Sequence, residues 1–398
     1  MVKVLMFGWE FPPMNSGGLG TACYGITKSL AEKGVEVLFV MPQRPGDAVN
    51  DEEMRIIGVN TTVKIRKVDS MLAAYMTSES YKKALKGNAS SIYGPTLFQE
   101  VKRFAEEAKK IAKEEDFDII HAHDWMTYEA GLNAKKISKK PLVVHVHATE
   151  LDRTGGNAVH QYVYDLERKG MTLADKVITV SNYTKNLVQK HYAIPKEKIE
   201  VVHNAVEINN NIAASKLTKK DKVVLFLGRI TLQKGPDYFV KAAKRVLELD
   251  PDIKFIVAGH GDMEPKIIEE VAAQGIGDRV LFAGFLQGAD IDKAYQLASL
   301  YVLPSVSEPF GITPLESLKN GTPVLVSRDS GVTEVLRNCL KVDFWDVDDM
   351  ANKMYAALHY PALHEELKNN GVEEVKRITW GKSASKLLNI YQRVIAKT

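Results

Sequence analysis

The sequence predicts an α/β protein made of two domains, each built on a parallel sheet. Three observations predict it. Short apolar runs recur that do not alternate with polar residues, as strands buried on both faces require, and loops and helical stretches separate them. That grammar is interrupted once, by a polar Asn- and Lys-rich stretch from Asn209 to Lys222 that has the composition of a linker. At 398 residues, the chain also exceeds what one hydrophobic core usually supports.

The first strand is Val2 to Phe7, which meets Gly8, Trp9 and Glu10 before it could form the apolar core of a secretory leader. A Gly-rich loop follows, then a helix carrying Ala22, Ile26 and Leu30 at a spacing of four and closing at Gly34. Val35 to Met41, Phe117 to His121, Leu142 to His147, Val177 to Val180 and Ile199 to His203 continue the pattern, giving one Rossmann-like domain over residues 1–207. Beyond the linker, Val223 to Leu227 starts a second sheet. Pro236 opens a helix running to about Leu249, because its missing N–H is one the first turn leaves unused. Ile253 to Ala258, Val280 to Ala283, Leu300 to Leu303 and Val324 to Val326 are its further strands, and the stretch between Trp345 and Ile378 reads as helical, so the second domain spans 208–379. Trp380 to Ala396 is a last amphipathic helix with Ala384, Leu387, Leu388 and Tyr391 on one side. Two such halves on one linker face each other across a cleft, and parallel sheets take ligands outside the carboxyl ends of their strands.

Composition excludes little but is consistent. Apolar residues make up 45% and charged residues 26%, as in an ordinary globular protein. A net charge of +3, from 53 basic and 50 acidic residues, gives no general reason to expect nucleic acid or a membrane as partner. No apolar stretch approaches the roughly 20 residues of a membrane helix. The two cysteines, Cys23 and Cys339, lie far apart in sequence and outside any paired metal spacing; both read as reduced thiols, which fits the cytoplasm.

Chemistry-bearing residues cluster just after strands. Ser307-Glu308-Pro309-Phe310-Gly311-Ile312-Thr313-Pro314-Leu315-Glu316 places two carboxylates across a turn that enters a helix. Free backbone donors at such a helix start suit a phosphate, and the carboxylates suit hydroxyls of a ribose or sugar, although a helix with an acidic first turn has the same composition. Asn15-Ser16-Gly17-Gly18-Leu19-Gly20 is a loop whose glycines let a ligand approach the backbone closely, or a tight turn; it lacks the spaced glycines of a dinucleotide fingerprint. Arg229 with Gln233-Lys234-Gly235 pairs a rigid guanidinium with a flexible ammonium near a helix start, a combination suited to a diphosphate leaving group or to a solvated loop. His121, His123, Asp124, His145 and His147 end two strands. They suit a metal centre, with Glu150, Asp152 and His160 nearby, or a metal-free wall that hydrogen-bonds a sugar, or plain core packing for His121 and His145.

Taken in order, these motifs resemble those of the retaining GT-B glycosyltransferases of the family-four group, close to glycogen and starch synthases. The resemblance spans nearly the whole chain and rests on Gly17-Gly18-Leu19, His123-Asp124-Trp125, His145-Val146-His147, Gly228-Arg229 with Lys234-Gly235, and Glu308 through Glu316. It implies that Arg229 and Lys234 bind the donor diphosphate, that Glu316 holds the ribose, and that Glu308, His147 and the backbone of Phe310, Gly311 and Ile312 meet the donor sugar. Gly17 and Gly18 would lie against the diphosphate, Asp124 across the cleft, and the helix from Trp380 would cross back to the first domain, which adds residues 380–398 to it. Arg229, Lys234, His147 and Glu308 are thereby the expected catalytic set, with no metal and no cofactor beyond the UDP- or ADP-sugar substrate, and with an α-glucan or another hydroxyl acceptor as second substrate. Asn15 departs from the bacterial glycogen synthases, which carry a lysine there. Glu150-Leu151-Asp152-Arg153 is a charged continuation with no role in this scheme. Acceptor loops are expected around Asp69 to Tyr93, where Tyr75, Tyr81 and Tyr93 could stack on sugar rings or pack within a helix pair.

Overall fold

A computed structural model describes residues 1–11, 17–43, 52–55, 62–72, 78–86, 95–208 and 221–397. Asn15, Tyr75, Tyr93 and most of the stretch from Asn209 to Lys222 lie outside the described residues. The chain divides into two units: Met1–Glu150 with Val159–Asn204 and Trp380–Thr398, and Leu151–Ala158 with Ala205–Thr379.

The first unit runs β1 (Lys3–Phe7), α1 (Gly18–Ala31), β2 (Glu36–Gln43), β3 (Glu52–Arg55), β4 (Thr62–Asp69), α2 (Ser78–Lys86), α3 (Leu97–Glu114), β5 (Ile119–His123), α4 (Trp125–Ser138) and β6 (Leu142–Val146) and, beyond α5 (Glu150–Thr154), of which all but Glu150 belongs to the second unit, α6 (Gln161–Leu173), β7 (Lys176–Thr179), α7 (Asn182–Tyr192) and β8 (Ile199–Val201). Its sheet has the order β3-β4-β2-β1-β5-β6-β7-β8, parallel throughout except for the antiparallel pair β3 and β4 at one edge. β3 and β4 were not expected from sequence. In β4, buried Val63 and Ile65 alternate with exposed Lys64 and half-buried Arg66, the signature of a half-covered strand rather than of the continuous apolar runs found elsewhere. β5 and β6 are buried at every position, as a central parallel strand must be. Tyr81, on α2, is fully buried and is a packing residue rather than a surface for a sugar ring.

The second unit runs β9 (Val223–Leu227), α8 (Pro236–Leu249), β10 (Lys254–Ala258), α9 (Glu264–Ala273), β11 (Val280–Gly284), α10 (Ala289–Leu297), β12 (Leu300–Leu303), α11 (Ile312–Lys319), β13 (Val324–Ser327), β14 (Leu340–Val342), α12 (Val347–His359) and α13 (Pro361–Val375). Its six-stranded sheet is wholly parallel, in the order β11-β10-β9-β12-β13-β14. Counted within the unit this is 3-2-1-4-5-6, the doubly wound order, whose winding reverses between β9 and β12. The first sheet reverses likewise between β1 and β5. Both units are therefore Rossmann-like, and each has one crevice where loops diverge from neighbouring strands.

α14 (Trp380–Ile395) packs on the first unit, against α1. Trp380, Ala384, Leu387, Ile390 and Tyr391 are its buried face, so Ile390 takes the inward place and Leu388 the flank. The Trp380 indole lies where a Cβ on Gly25 would be, 2.3 Å from its nearest ring atom, so only glycine fits α1 to this helix. Among the described residues no helix is long and apolar enough to cross a membrane. Cys23 and Cys339 are free and buried, and burial raises both thiols, Cys339 to about 11.

Candidate functional site

The residues that sequence singles out in the second unit converge at its switch point. Arg229 and Lys234 follow β9; Glu308 follows the neighbouring strand β12. The Arg229 guanidinium donates to Gln233 Oε1 at 2.9 Å, which fixes one edge of its fork. Lys234 Nζ pairs with Glu308 Oε2 at 2.5 Å, and Ser305 Oγ donates to the same oxygen at 3.0 Å. Glu308 is only 5% exposed, so this ion pair and the hydroxyl hold a carboxylate that burial would otherwise penalise. The two residues assigned separately to diphosphate and sugar are thus partners of each other.

The loop from Glu308 into α11 has a fixed shape. Gly331 N–H donates to the Glu308 carbonyl and Val332 N–H to that of Phe310, tying it to the loop after β13. Gly311 has φ +96°, and a Cβ there would lie 3.2 Å from Glu308 Cγ, so the backbone folds over the glutamate only with glycine. Gly311 is the N-cap of α11 and offers no side-chain cap to the first-turn donors. Phe310 and Ile312 are buried beside it. Glu316, on α11, accepts a hydrogen bond from the Tyr295 hydroxyl at 3.3 Å. Desolvation raises its carboxyl above the usual range, against the opposing pull of Lys319.

In the first unit the four histidines form one layer. His123 and His145 are paired in register across β5 and β6, and His121 is on the same face as His123. Ring centroids are 4.2 Å apart for His121 and His123, 5.3 Å for His123 and His145, and 4.3 Å for His145 and His147. His121 Nδ1 is 2.6 Å from the Tyr391 hydroxyl, and His123 Nδ1 is 2.8 Å from His147 Nε2. One proton serves that last pair, so the tautomer of His123 sets that of His147. Burial holds all four neutral, with His121 and His147 pushed down to about 3. β6 ends at Val146, and His147, just beyond it, is the half-buried member; the other three are fully buried.

One nitrogen each of His121, His123 and His145 lies within 4.8 Å of the others. A shared metal must lie in the plane of every imidazole that binds it, whereas these rings stack at 10–28° with their planes alongside one another. The acidic partners that sequence offered are elsewhere. Glu150 accepts from the His160 backbone N–H, and Asp152 accepts from Ser307 in the second unit.

Asp124 is the N-cap of α4, with φ +58°, and its Oδ1 accepts from the His147 and Ala148 backbone N–H groups at 2.7 and 3.3 Å. It shapes the turn that presents His147. Gly17 is the N-cap of α1, and among the described residues a Cβ on Gly18 would meet no atom within 4 Å. Sequence reasoning gave no role to three participants. Glu10 is fully buried and accepts from Gly20 N–H at 3.1 Å in the first turn of α1; its sequence position, an acid three residues after a buried strand, was the available signal. Gln233 and Ser305 are ordinary polar residues whose roles arise only from loop contacts.

Comparison with known proteins follows the same division. Residues 207–374 match the family Glycosyl transferases group 1, and residues 16–210 match Glycosyltransferase Family 4. An uncharacterized glycosyltransferase of Methanocaldococcus jannaschii is 30% identical over 98% of both chains. A glycogen synthase of Mycobacterium tuberculosis is 25% identical, covering 85% of this chain and 80% of its own. In structure, the sucrose-phosphate synthase of Thermosynechococcus elongatus superposes over the whole of both chains with a TM-score of 0.81 at 19% identity, a likeness of fold. With the doubly wound units and the loops at their switch points, these matches establish that the chain belongs to the group 1 glycosyltransferases of the GT-B fold.

Proposed function

We propose that this glycosyltransferase moves a hexose, glucose in the first instance, from a nucleoside diphosphate sugar to a hydroxyl of an α-glucan, with retention at the anomeric carbon. The observation that carries the reading is the meeting of Arg229, Lys234 and Glu308 on two adjacent loops at one switch point. Transfer requires that positive charge meet the departing diphosphate, and a guanidinium, an ammonium and the uncapped start of α11 supply it without a metal. Glu316 on the same helix takes the ribose hydroxyls. Glu308 and the backbone of Phe310, Gly311 and Ile312 take those of the sugar, and the backbone of Gly17 and Gly18 lies against the diphosphate.

His147 is neutral at physiological pH and serves as a hydrogen-bond partner for the sugar rather than as a charge. The leaving phosphate oxygen accepts the proton of the attacking hydroxyl on the same face, so no side chain needs to act as nucleophile. The glucan is favoured as acceptor by the likeness to a glycogen synthase. The test is release of nucleoside diphosphate from UDP-glucose and from ADP-glucose, with and without glycogen, in the presence of chelator. Release stimulated by glucan supports the whole reading and names the donor. Release indifferent to glucan refutes the acceptor, and release abolished by chelator refutes metal-free transfer.

A further inference from the structure

The motif without a role in the sequence, Glu150-Leu151-Asp152-Arg153, acquires one from its surroundings. Although it follows β6, the segment Leu151–Ala158 belongs to the second unit. Asp152 is fully buried, and its Oδ1 accepts a 2.6 Å hydrogen bond from Ser307 Oγ, one residue before Glu308. An O–H to carboxylate bond of that length is charge-assisted and is among the stronger contacts a loop can have. The helical turn then closes, with Gly156 N–H on the Leu151 carbonyl. Gly155, at φ +62°, is seated so that a Cβ would lie 3.3 Å from Leu232 Cδ2 and 3.7 Å from Val306 Cγ1. Leu232 is in the Lys234 turn, and Val306 in the Glu308 loop.

Those two loops are also tied to each other. The Gln233 carbonyl accepts from Val306 N–H at 2.9 Å and from Ser307 N–H at 3.5 Å, while the Gln233 side chain holds Arg229. We propose that Leu151–Ala158 braces the two donor-site loops, and that Asp152 is a positioning residue for Glu308, acting through Ser307. Reactive groups displaced by about 1 Å can lose on the order of a hundredfold in rate, which is the scale of what such a brace protects. Only the kinetic half of this proposal rests on the glycosyltransferase reading above.

The test compares the full-length wild type with Asp152→Ala, Asp152→Asn, Ser307→Ala and the double variant Asp152→Ala/Ser307→Ala. Asn retains an oxygen that accepts from Ser307, so it is the conservative rescue. Hydrogen exchange without ligand is expected to accelerate in peptides covering 229–235 and 304–311 for both alanine variants, to spare the strands of the second sheet, and to remain near wild type for Asp152→Asn. In nucleotide release, both alanine variants are expected to lose about tenfold or more in kcat with donor KM within about threefold, and the double variant to be no worse than the poorer single one. Unchanged exchange in those peptides overturns the proposal, as do acceleration throughout the second unit or losses that multiply in the double variant. If Asp152→Ala does not accumulate as folded protein, Ser307→Ala against Asp152→Asn makes the same comparison. If the wild type releases no nucleotide, the proposed activity fails and the exchange experiment alone decides the brace.

Discussion

Removing Lys234 should destabilise the free protein more than removing its partner's charge, because the two ends of that ion pair are unequally buried. Lys234→Ala leaves Glu308, whose side chain is 6% exposed, with the Ser305 hydroxyl as its remaining described hydrogen-bond partner. Stranding one member of a buried pair costs about 3–5 kcal/mol, and the retained hydroxyl places the expectation near 3. Glu308→Gln keeps an oxygen for Ser305, and Lys234, whose side chain is 17% exposed, can turn toward water; about 1 kcal/mol is expected. For a unit of roughly 180 residues these become falls in melting temperature of about 6–12 °C and about 2–4 °C. The double variant should melt above Lys234→Ala, since no buried charge is stranded.

Differential scanning calorimetry of the full chain without nucleotide, at pH 7.5 and low salt, measures all three. Equal shifts for the two single variants, or a double variant whose loss is the sum of both, would refute the buried-pair account. The same pairing implies that a diphosphate competes with Glu308 for the ammonium. UDP or ADP should therefore bind Glu308→Gln at least as tightly as wild type while transfer is slower; weaker binding would mean that Glu308 helps Lys234 rather than occupying it.

Arg229→Ala removes charge-assisted hydrogen bonds worth about 1.5–3 kcal/mol, so calorimetric affinity for UDP or ADP should fall by about 10–150-fold, and an unchanged affinity would remove Arg229 from the diphosphate site. Glu316→Gln should weaken nucleotide binding yet leave melting unchanged or raise it at pH 7, because a carboxyl raised by desolvation costs stability where it is ionised; a lower melting temperature at full affinity would reverse both inferences. Acid should weaken the first unit in a defined window. His121 has a folded value near 3 against 6.5 unfolded, so the unfolded chain takes up the proton first, and stability intact above 6.5 drains as pH falls toward 3. At pH 5.5 this single residue removes about 1.4 kcal/mol, with His123 and His145 acting in the same direction. Urea unfolding at pH 7.5 and 5.5 reads the loss, and the absence of net proton uptake on unfolding at pH 5.5 would refute it.

The strands of both sheets were legible because central parallel strands are apolar at every position, and Val223–Leu227 and Leu300–Leu303 stand in the structure as sequence placed them. β4 escaped for the opposite reason, its lysines and arginine disguising the alternation of Val63 and Ile65. Strand ends moved by two residues at β5, where pairing of His123 with His145 carries the ladder further than apolar content suggests. Among the candidate site residues, types with intrinsic chemistry were visible: Arg229, Lys234 and Glu308 stand on the loops after β9 and β12, and Glu316 on α11, the helix that follows. What sequence could not display is the wiring among them. That Lys234 is held by Glu308, that Gln233 links two loops, and that Asp152 joins the second unit are facts of tertiary proximity between residues up to 155 positions apart. No local pattern encodes such distances.

The seat of Trp380 on Gly25 has a consequence for the order of events on the ribosome. The surface of α1 that receives the indole is translated more than 350 residues before its cover emerges. Until then that surface lacks the Trp380 indole, and His121 lacks the Tyr391 hydroxyl. The first unit thus closes only after the second has been translated, and a nascent chain stalled before Trp380 presents a sticky, incompletely covered intermediate of the kind chaperones hold.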